Sequence, residues 1–442
     1  MNPISLFRSQ SQSMKKIKLG FIEIPDQADN TSSIHSTIFQ LKDITFSQRE
    51  VVVHFDIEGR FLNIELRKDN TFPIKLLERT FQGIFHLYED ACINLHPDNI
   101  EANYYYDYYQ EKITNNLLIS LELLNQVYAF VKMVIKENID IQYRTHNEFL
   151  RKILYRYSWE GLLRDQARFH KVYTTSITVL PPETRPDINP LFAVIQSTQG
   201  CWTHSYSRKS CAFCISFRNV KYREKNLEEI LQHIEEVKQF TGAAWKNVKK
   251  FFLSDADPLF TKLSSFKLLQ SIRNTFLQIS SFETFVSTTT ILSKTLNMWK
   301  ELKECGLRRV YWGVESADNE TLRILNKPQN QSSLYKAAQL LDKSGINYVI
   351  IVMSGIGMLK MNNNLAHVDA TSTFIASTNP QYVDISKFES LQGSEIYKSI
   401  QKKEYYCPSK EEIEIEHRAL IEMILLKNKQ CKIRGAYGRQ FF

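Results

Sequence analysis

The chain has 442 residues, of which 43% are hydrophobic and 12% aromatic, and a formal net charge of +8. That length allows two or three domains with a large core, and the scarcity of glycine (14) and proline (12) argues against long disordered linkers. The mild basic excess fits a diffusely solvated surface as well as an anionic partner, so nucleic acid is only weakly supported.

No run of about 18 apolar residues offers a membrane-spanning helix. Residues 1–13 are polar and lack the apolar stretch of a secretory signal. The seven cysteines are unevenly spread: Cys201, Cys211 and Cys214 crowd together, while Cys92, Cys305, Cys407 and Cys431 stand alone. A disulfide framework is spaced otherwise, so the expectation is a reducing cytoplasm and one metal site.

In chain order, "KLGFIEI" and "EVVVHFDIEGRFLNIELRKD" alternate and predict short strands up to Arg67, with Gly59 in a hairpin-like turn. Residues 72–87, 111–137 and 146–170 have helical apolar spacing, so residues 1–178 read as an N-terminal α+β accessory region. Tyr104, Tyr105, Tyr106, Tyr108 and Tyr109 form a cluster; core and rim tyrosines of a helical layer are a simpler account of it than a binding face. "VLPPETRPD" then breaks regular structure, and the second domain starts there, at residue 179.

Regular alternation follows. Strands are predicted at residues 191–198, 248–254, 284–288, 308–314, 346–353 and 381–388, and helices at 227–240, 266–275, 294–305, 334–344 and about 366–377. Asn226 and Glu229 form a capping pair, and Gly242, Gly306 and Gly345 stand where helices stop. The strands are near-continuous apolar runs, as parallel strands covered by helices are. Six β–α units are too few for an eight-fold barrel and fit an open doubly wound sheet or a partial (β/α)6 TIM-like barrel, over residues 179–397. Residues 398–442 form a C-terminal helical extension. Its helix at 411–427 carries Ile413, Ile415, Leu420, Ile424 and Leu425 and is expected over the barrel's open side, and the tail "KIRGAYGRQFF" docks or plugs a cleft.

The chemistry concentrates after the first strand, in "STQGCWTHSYSRKSCAFCISF". Thiolates are soft ligands for iron–sulfur clusters, zinc or Cu(I). Three without a fourth leave one iron of a [4Fe–4S] cluster open. With His204, however, the same residues spell C-x2-H-x6-C-x2-C, a Cys3His zinc pattern. That alternative is a zinc-stabilised binding protein on an α/β scaffold, with nucleic acid as its candidate ligand.

The cysteine triad, with an aromatic residue just before its last member, resembles the radical S-adenosylmethionine (SAM) superfamily. The usual C-x3-C-x2-C is here C-x9-C-x2-C, so Cys201 sits on a longer loop. The resemblance extends over about residues 179–397, through "FFLSDADPLF", "GLRRVYWGVESADNETLRILNKP", "YVIIVMSGIGM" and "NPQYVDISKF". It implies the partial barrel, a [4Fe–4S] cluster on Cys201, Cys211 and Cys214, and SAM chelated to the fourth iron. It further implies one-electron cleavage of SAM to a 5′-deoxyadenosyl radical that takes hydrogen from a substrate, and a flavodoxin- or ferredoxin-like reductant.

By position the resemblance sets Phe213 against the adenine, if it is not simply a core residue. Ser254, Asp255, Ala256 and Asp257 fall at the methionine amine, with capping as the alternative for the two aspartates, and Ser287 at the ribose or carboxylate. Glu315 and Ser316 fall at the ribose hydroxyls or amine, or at a helix start favoured by its dipole. Ser354 and Gly355 belong to "MSGIG", where glycine lets backbone approach the adenine. Lys327 suits a carboxylate, although an exposed lysine is the simpler expectation, and His367 suits capping or packing. No Asp-x-His-x-x-Gly stretch marks a cobalamin domain, and no phosphate loop supports ATP or NAD. Nothing in the sequence singles out a small-molecule or a macromolecular substrate.

Overall fold

The computed structural model describes residues 191–206, 210–217, 220–360 and 364–435, a few residues between 172 and 186, and the backbone of eight strands between residues 17 and 107. In that first part β1 (Ile17–Pro25), β2 (Ser32–Lys42), β3 (Arg49–Phe55), β4 (Phe61–Lys68), β5 (Pro73–Arg79) and β6 (Phe85–Glu89) form an antiparallel sheet in sequence order. The short β7 (Cys92–Ile93) and β8 (Tyr106–Asp107) pair separately. The helix expected at 72–87 is therefore two strands. Leu77 pairs with Ile64 and Leu76 with Glu65 on the edge that β4 presents, and this cross-strand pairing overrides a weak helical period. The helices expected at 111–137 and 146–170 lie outside the described residues, as do all the clustered tyrosines except Tyr106.

The second sheet starts with β9 (Phe192–Gln196). A two-stranded antiparallel ribbon, β10 (Thr198–Gln199) and β11 (Arg223–Glu224), follows it. β12 (Lys250–Ser254), β13 (Ser281–Val286), β14 (Leu307–Glu315), β15 (Asn347–Ser354), β16 (Tyr382–Lys387) and β17 (Ile433–Gly435) then add one after another, every pair parallel. A doubly wound sheet reverses direction partway; this order does not, so the sheet is a partial TIM-like barrel. The seventh strand comes from the stretch expected as a tail.

The helices are α1 (Trp202–Tyr206), α2 (Leu227–Thr241), α3 (Ser265–Thr275), α4 (Thr288–Leu292), α5 (Leu296–Glu304), α6 (Asn319–Ile324), α7 (Gln331–Ser344), α8 (Asn364–Ala376), α9 (Glu395–Gln401) and α10 (Lys410–Lys427). α2 opens on the expected capping box: Glu229 N donates to Asn226 Oδ1 at 2.9 Å, and Asn226 N to Glu229 Oε2 at 2.8 Å. It buries Ile230, Ile234 and Val237. The expected helix at 294–305 is α5, capped by Thr295, and the short α4, capped by Ser287, precedes it. The third strand lies at 281–286, so Ser287 is a cap and not a strand end. α10 packs on α8 and against β15 and β16.

On the two faces of the sheet the core buries Phe251, Phe252, Phe282, Trp299, Trp312, Tyr348 and Phe374 completely. Each such side chain contributes roughly 2–3 kcal/mol of transfer free energy. Phe252, Phe285 and Tyr311 meet edge to face, with ring centroids 5.1–6.0 Å apart. The carboxyl ends of the strands are thus held on a dense, largely apolar base, in which Tyr311 OH donates to the buried Glu283 at 3.0 Å.

Candidate active site

The cysteine loop is fixed at both ends. Leaving β9, Gln196 Nε2 donates to both oxygens of Asp255 at 3.0 and 3.1 Å, and Gly200 N donates to Asp255 Oδ2 at 2.8 Å. Gly200 has φ +70°, and a Cβ there would lie 3.0 Å from the Val220 carbonyl, so a side chain is excluded just before Cys201. Trp202, on α1, stacks on Phe260 with centroids 4.3 Å apart and donates its indole N–H to Asp257 Oδ2 at 2.9 Å. The Thr290 hydroxyl donates to the same oxygen at 2.6 Å. Burial pushes the Asp257 carboxyl up, against these hydrogen bonds.

At the other end Ala212 N donates to Leu325 O at 2.8 Å, and Ile396 N donates to Ala212 O at 3.0 Å. Cys211 and Cys214 therefore hang from backbone tied to the ends of α6 and α9. Ala212 also packs with Leu325, Met353, Ile356 and Ile413, and Phe213 lies against this cluster.

Cys201, Cys211 and Cys214 are half-buried and free of disulfides. Cys201 Sγ lies 3.0 Å from Thr203 Oγ1. Burial pushes the Cys211 thiol up to about 12, opposed by the nearby Lys327 charge, while Cys214 and Cys201 reinforce the push. Cys201 is raised by burial too, with Cys214 adding to it. The three sulfurs thus share one field. Among the described residues no three His, Cys, Asp or Glu side chains stand close enough to hold a single ion. His204 is half-exposed, and its backbone N–H donates to Cys201 O at 3.1 Å.

The expected site residues gather at the carboxyl ends of neighbouring strands. Ser254 ends β12, 1% exposed, and its Oγ has no hydrogen-bond partner. Ala256 is half-buried beyond it. The Ser287 hydroxyl accepts from Thr290 N at 3.1 Å. Glu315, at the end of β14, has φ +62°, a left-handed backbone that costs a non-glycine residue about 1 kcal/mol or more. Burial pushes its carboxyl up, against Lys327. The Ser316 hydroxyl lies 2.8 Å from His367 Nδ1 and accepts from Asp318 N at 3.0 Å. His367 is thus a buried packing partner, as expected. Ser354 Oγ donates to Ser386 O at 3.1 Å and lies 3.0 Å from His417 Nδ1. A Cβ at Gly355 would lie 2.7 Å from Ile413 Cγ1, so α10 fills the bare face of that glycine.

Lys327 corrects an expectation. Its side chain is 11% exposed, and its Nζ donates to Gly313 O at 2.9 Å and stands 3.5 Å from Glu315 Oε1. Burial works against its charge, but Glu315 and the Cys211 and Cys201 thiols outweigh it and raise its pKa. Gly313 makes room for the pair: a Cβ there would lie 3.0 Å from Glu315 Oε1 and 3.4 Å from Lys327 Nζ.

Sequence reasoning missed Trp202, Lys294, Glu416 and His417. Lys294 Nζ donates to Leu259 O at 2.9 Å on the Asp257 loop. Glu416 and His417 carried a legible signal: they continue the buried stripe of Ile413, Leu420 and Ile424, where a polar residue needs a specific partner.

Residues 195–365 match the family model of the radical SAM superfamily. That stretch is a radical SAM domain within the chain. Enzymes of this superfamily use a [4Fe–4S] cluster and SAM and need a reductant. No curated protein sequence matches the chain. Among solved structures it is similar to the radical SAM methyltransferase TsrM from Kitasatospora setae, with cobalamin and a [4Fe–4S] cluster bound. That match has 13% identity and a TM-score of 0.38, covering 48% of this chain and 37% of that one. It is also similar to coproporphyrinogen III oxidase (HemN) from Escherichia coli, a radical SAM enzyme, at 14% identity and TM-score 0.40, over 61% of this chain and 56% of that one. A third match is methylornithine synthase (PylB), at 16% identity and TM-score 0.37, covering 69% and 77%. The chain thus spans little more than a third of the length of TsrM.

The residues present fit both cofactors. The donors are three soft thiols on one loop, free of disulfides, the chemistry of an iron–sulfur ligand set. Ser254 Oγ is a buried polar atom still lacking a partner.

Proposed function

We propose that Cys201, Cys211 and Cys214 hold three irons of the cluster and that the surrounding strand ends hold SAM for radical hydrogen abstraction. The observation that carries this is a thiol trio on one loop, pinned by Asp255 at Gly200 and by Leu325 and Ile396 at Ala212, with three sulfurs in one field. Bound and reduced, these cofactors supply one-electron cleavage of the sulfonium to a 5′-deoxyadenosyl radical that takes hydrogen from the substrate.

The chain's own residues bind and orient. Ser254 would hold the methionine amine with Asp257 beside it, and Ala256 keeps the approach open. Asp255 acts chiefly through Gly200, since its carboxylate already accepts from that amide and from Gln196. Ser287, Glu315 and Ser316 would line the ribose and carboxylate side. Phe213 and the Ser354–Gly355 turn would line the adenine side. Lys327 keeps the site's charge balanced, as a buried cation between Glu315 and the thiols. Residues 1–178 serve as an accessory region, residues 179–397 as the core and residues 398–442 as an extension. The reductant is of flavodoxin or ferredoxin type, and the setting is the cytoplasm. No helix among the described residues is long and apolar enough to cross a membrane.

The test is product analysis. Anaerobically reconstituted, reduced protein given SAM and a cell extract is expected to release 5′-deoxyadenosine, and a deuterated substrate pool should pass label into it. No 5′-deoxyadenosine from protein that carries iron and sulfide would overturn the proposal.

A further inference from the structure

We infer that Glu416 is a positioning residue of this site: its carboxylate holds the loop of residues 355–358 so that Ile356 stays packed on the cysteine loop. The inference rests on the reading that this loop lines the SAM site. α10 turns one stripe inward, and Glu416 sits within it, 1% exposed. A buried carboxylate costs several kcal/mol unless donors satisfy it. Burial pushes the Glu416 carboxyl up to about 7, opposed by amides of one turn: Gly355 N and Gly357 N both donate to Oε1, the latter at 3.4 Å, and Met358 N also favours the charge, while Oε2 has no partner among the described residues. Amides of one turn aimed at a single carboxyl oxygen fix the backbone that carries them.

Two neighbours on the same helix tighten the grip. Ile413, one turn earlier, occupies the space where a side chain at Gly355 would be, and His417 Nδ1 meets Ser354 Oγ at 3.0 Å. His367 Nε2, from α8, faces the carboxylate at 3.5 Å, and burial pushes that imidazole down to about 4, so it stays neutral at ordinary pH. Held this way, the loop delivers Ile356 into the cluster that contains Ala212 and supports Phe213.

The experiment compares the full-length protein with Glu416→Leu and Glu416→Gln, all reconstituted anaerobically. It reads iron content, SAM affinity by calorimetry, and amide hydrogen exchange across residues 354–359 without SAM. Glu416→Leu should keep its iron, exchange faster at 355–358 and bind SAM about tenfold or more weakly. Glu416→Gln, whose amide oxygen still accepts, should recover affinity to within about threefold. Should Glu416→Leu fail to fold, Glu416→Asp, which withdraws the carboxylate by one methylene, carries the same expectation. Exchange and affinity unchanged in a folded variant would overturn the role of Glu416. Absence of SAM binding by the unsubstituted protein would instead strike the assignment of the loop to SAM, and the exchange rates would still judge Glu416.

Discussion

Lys327 and Glu315 stand 3.5 Å apart with side chains only 11% and 10% exposed. Removing one partner of such a pair leaves an uncompensated buried charge, at about 3 kcal/mol or more. Lys327→Met should therefore destabilise the protein by about that amount in chemical denaturation, and Lys327→Met with Glu315→Gln should recover part of it. The sequence hid this lysine because its neighbours Asn326, Pro328 and Gln329 look like surface; what buries it is space left by Gly313, a strand residue far from it in the chain. His233 gives a pH dependence. Its Nε2 accepts from Gln196 N at 3.1 Å, and burial, with a smaller effect of Lys225, pushes its pKa down to about 3. The unfolded chain takes up a proton near pH 6.5 that the folded chain refuses until about 3. The contribution of a neutral His233 is thus complete above pH 6.5 and is lost as pH falls towards 3, at up to about 1.4 kcal/mol per unit. His233→Gln should flatten that slope between pH 6 and 4; an unchanged slope would contradict it.

The elements read best from the sequence are those with repeated signals. α2 showed its start in Asn226 and Glu229, its face in Ile230, Ile234 and Val237, and its end in Gly242. Asn226→Ala removes an acceptor from the capping box and should cost about 1 kcal/mol in thermal or urea unfolding. The six apolar strands were legible for the same reason, since parallel strands under helices leave uninterrupted apolar runs. The five residues of α4, the six of α6 and the three of β17 hold too few turns to show a period, so they were missed. In the N-terminal sheet, residues 72–87 carried a helical spacing that pairing with β4 overrode. The strand ends that carry the proposed site residues were legible, but those residues' partners were not. That Asp255 spends its carboxylate on Gly200, and that Ile413 covers Gly355, depends on contacts 55 and 58 positions apart in the chain.

For the whole molecule, the strand order sets what the C-terminal segment does. β9 and then β12 to β17 add in chain order, each beside the last, so the carboxyl ends of successive strands surround one mouth. α10 and β17 close this series: the helix covers β15 and β16, and the strand pairs with β16 from Val383 to Ile385. A chain ended at Tyr406 uncovers that apolar face and leaves β16 as an open edge. It should lose cooperative thermal unfolding by circular dichroism and aggregate on gel filtration; a monomeric, cooperatively melting product would contradict the role given to α10.

The central claim is that three thiols on one loop hold an iron–sulfur cluster. Iron and acid-labile sulfide, assayed after anaerobic reconstitution, test it most directly. The native protein and His204→Ala should each carry about four irons and four sulfides, with a broad band near about 400 nm from thiolate–iron charge transfer, and each of Cys201→Ala, Cys211→Ala and Cys214→Ala should lose most of both. A colourless native protein that holds zinc, and releases it when His204 is replaced, would contradict the account.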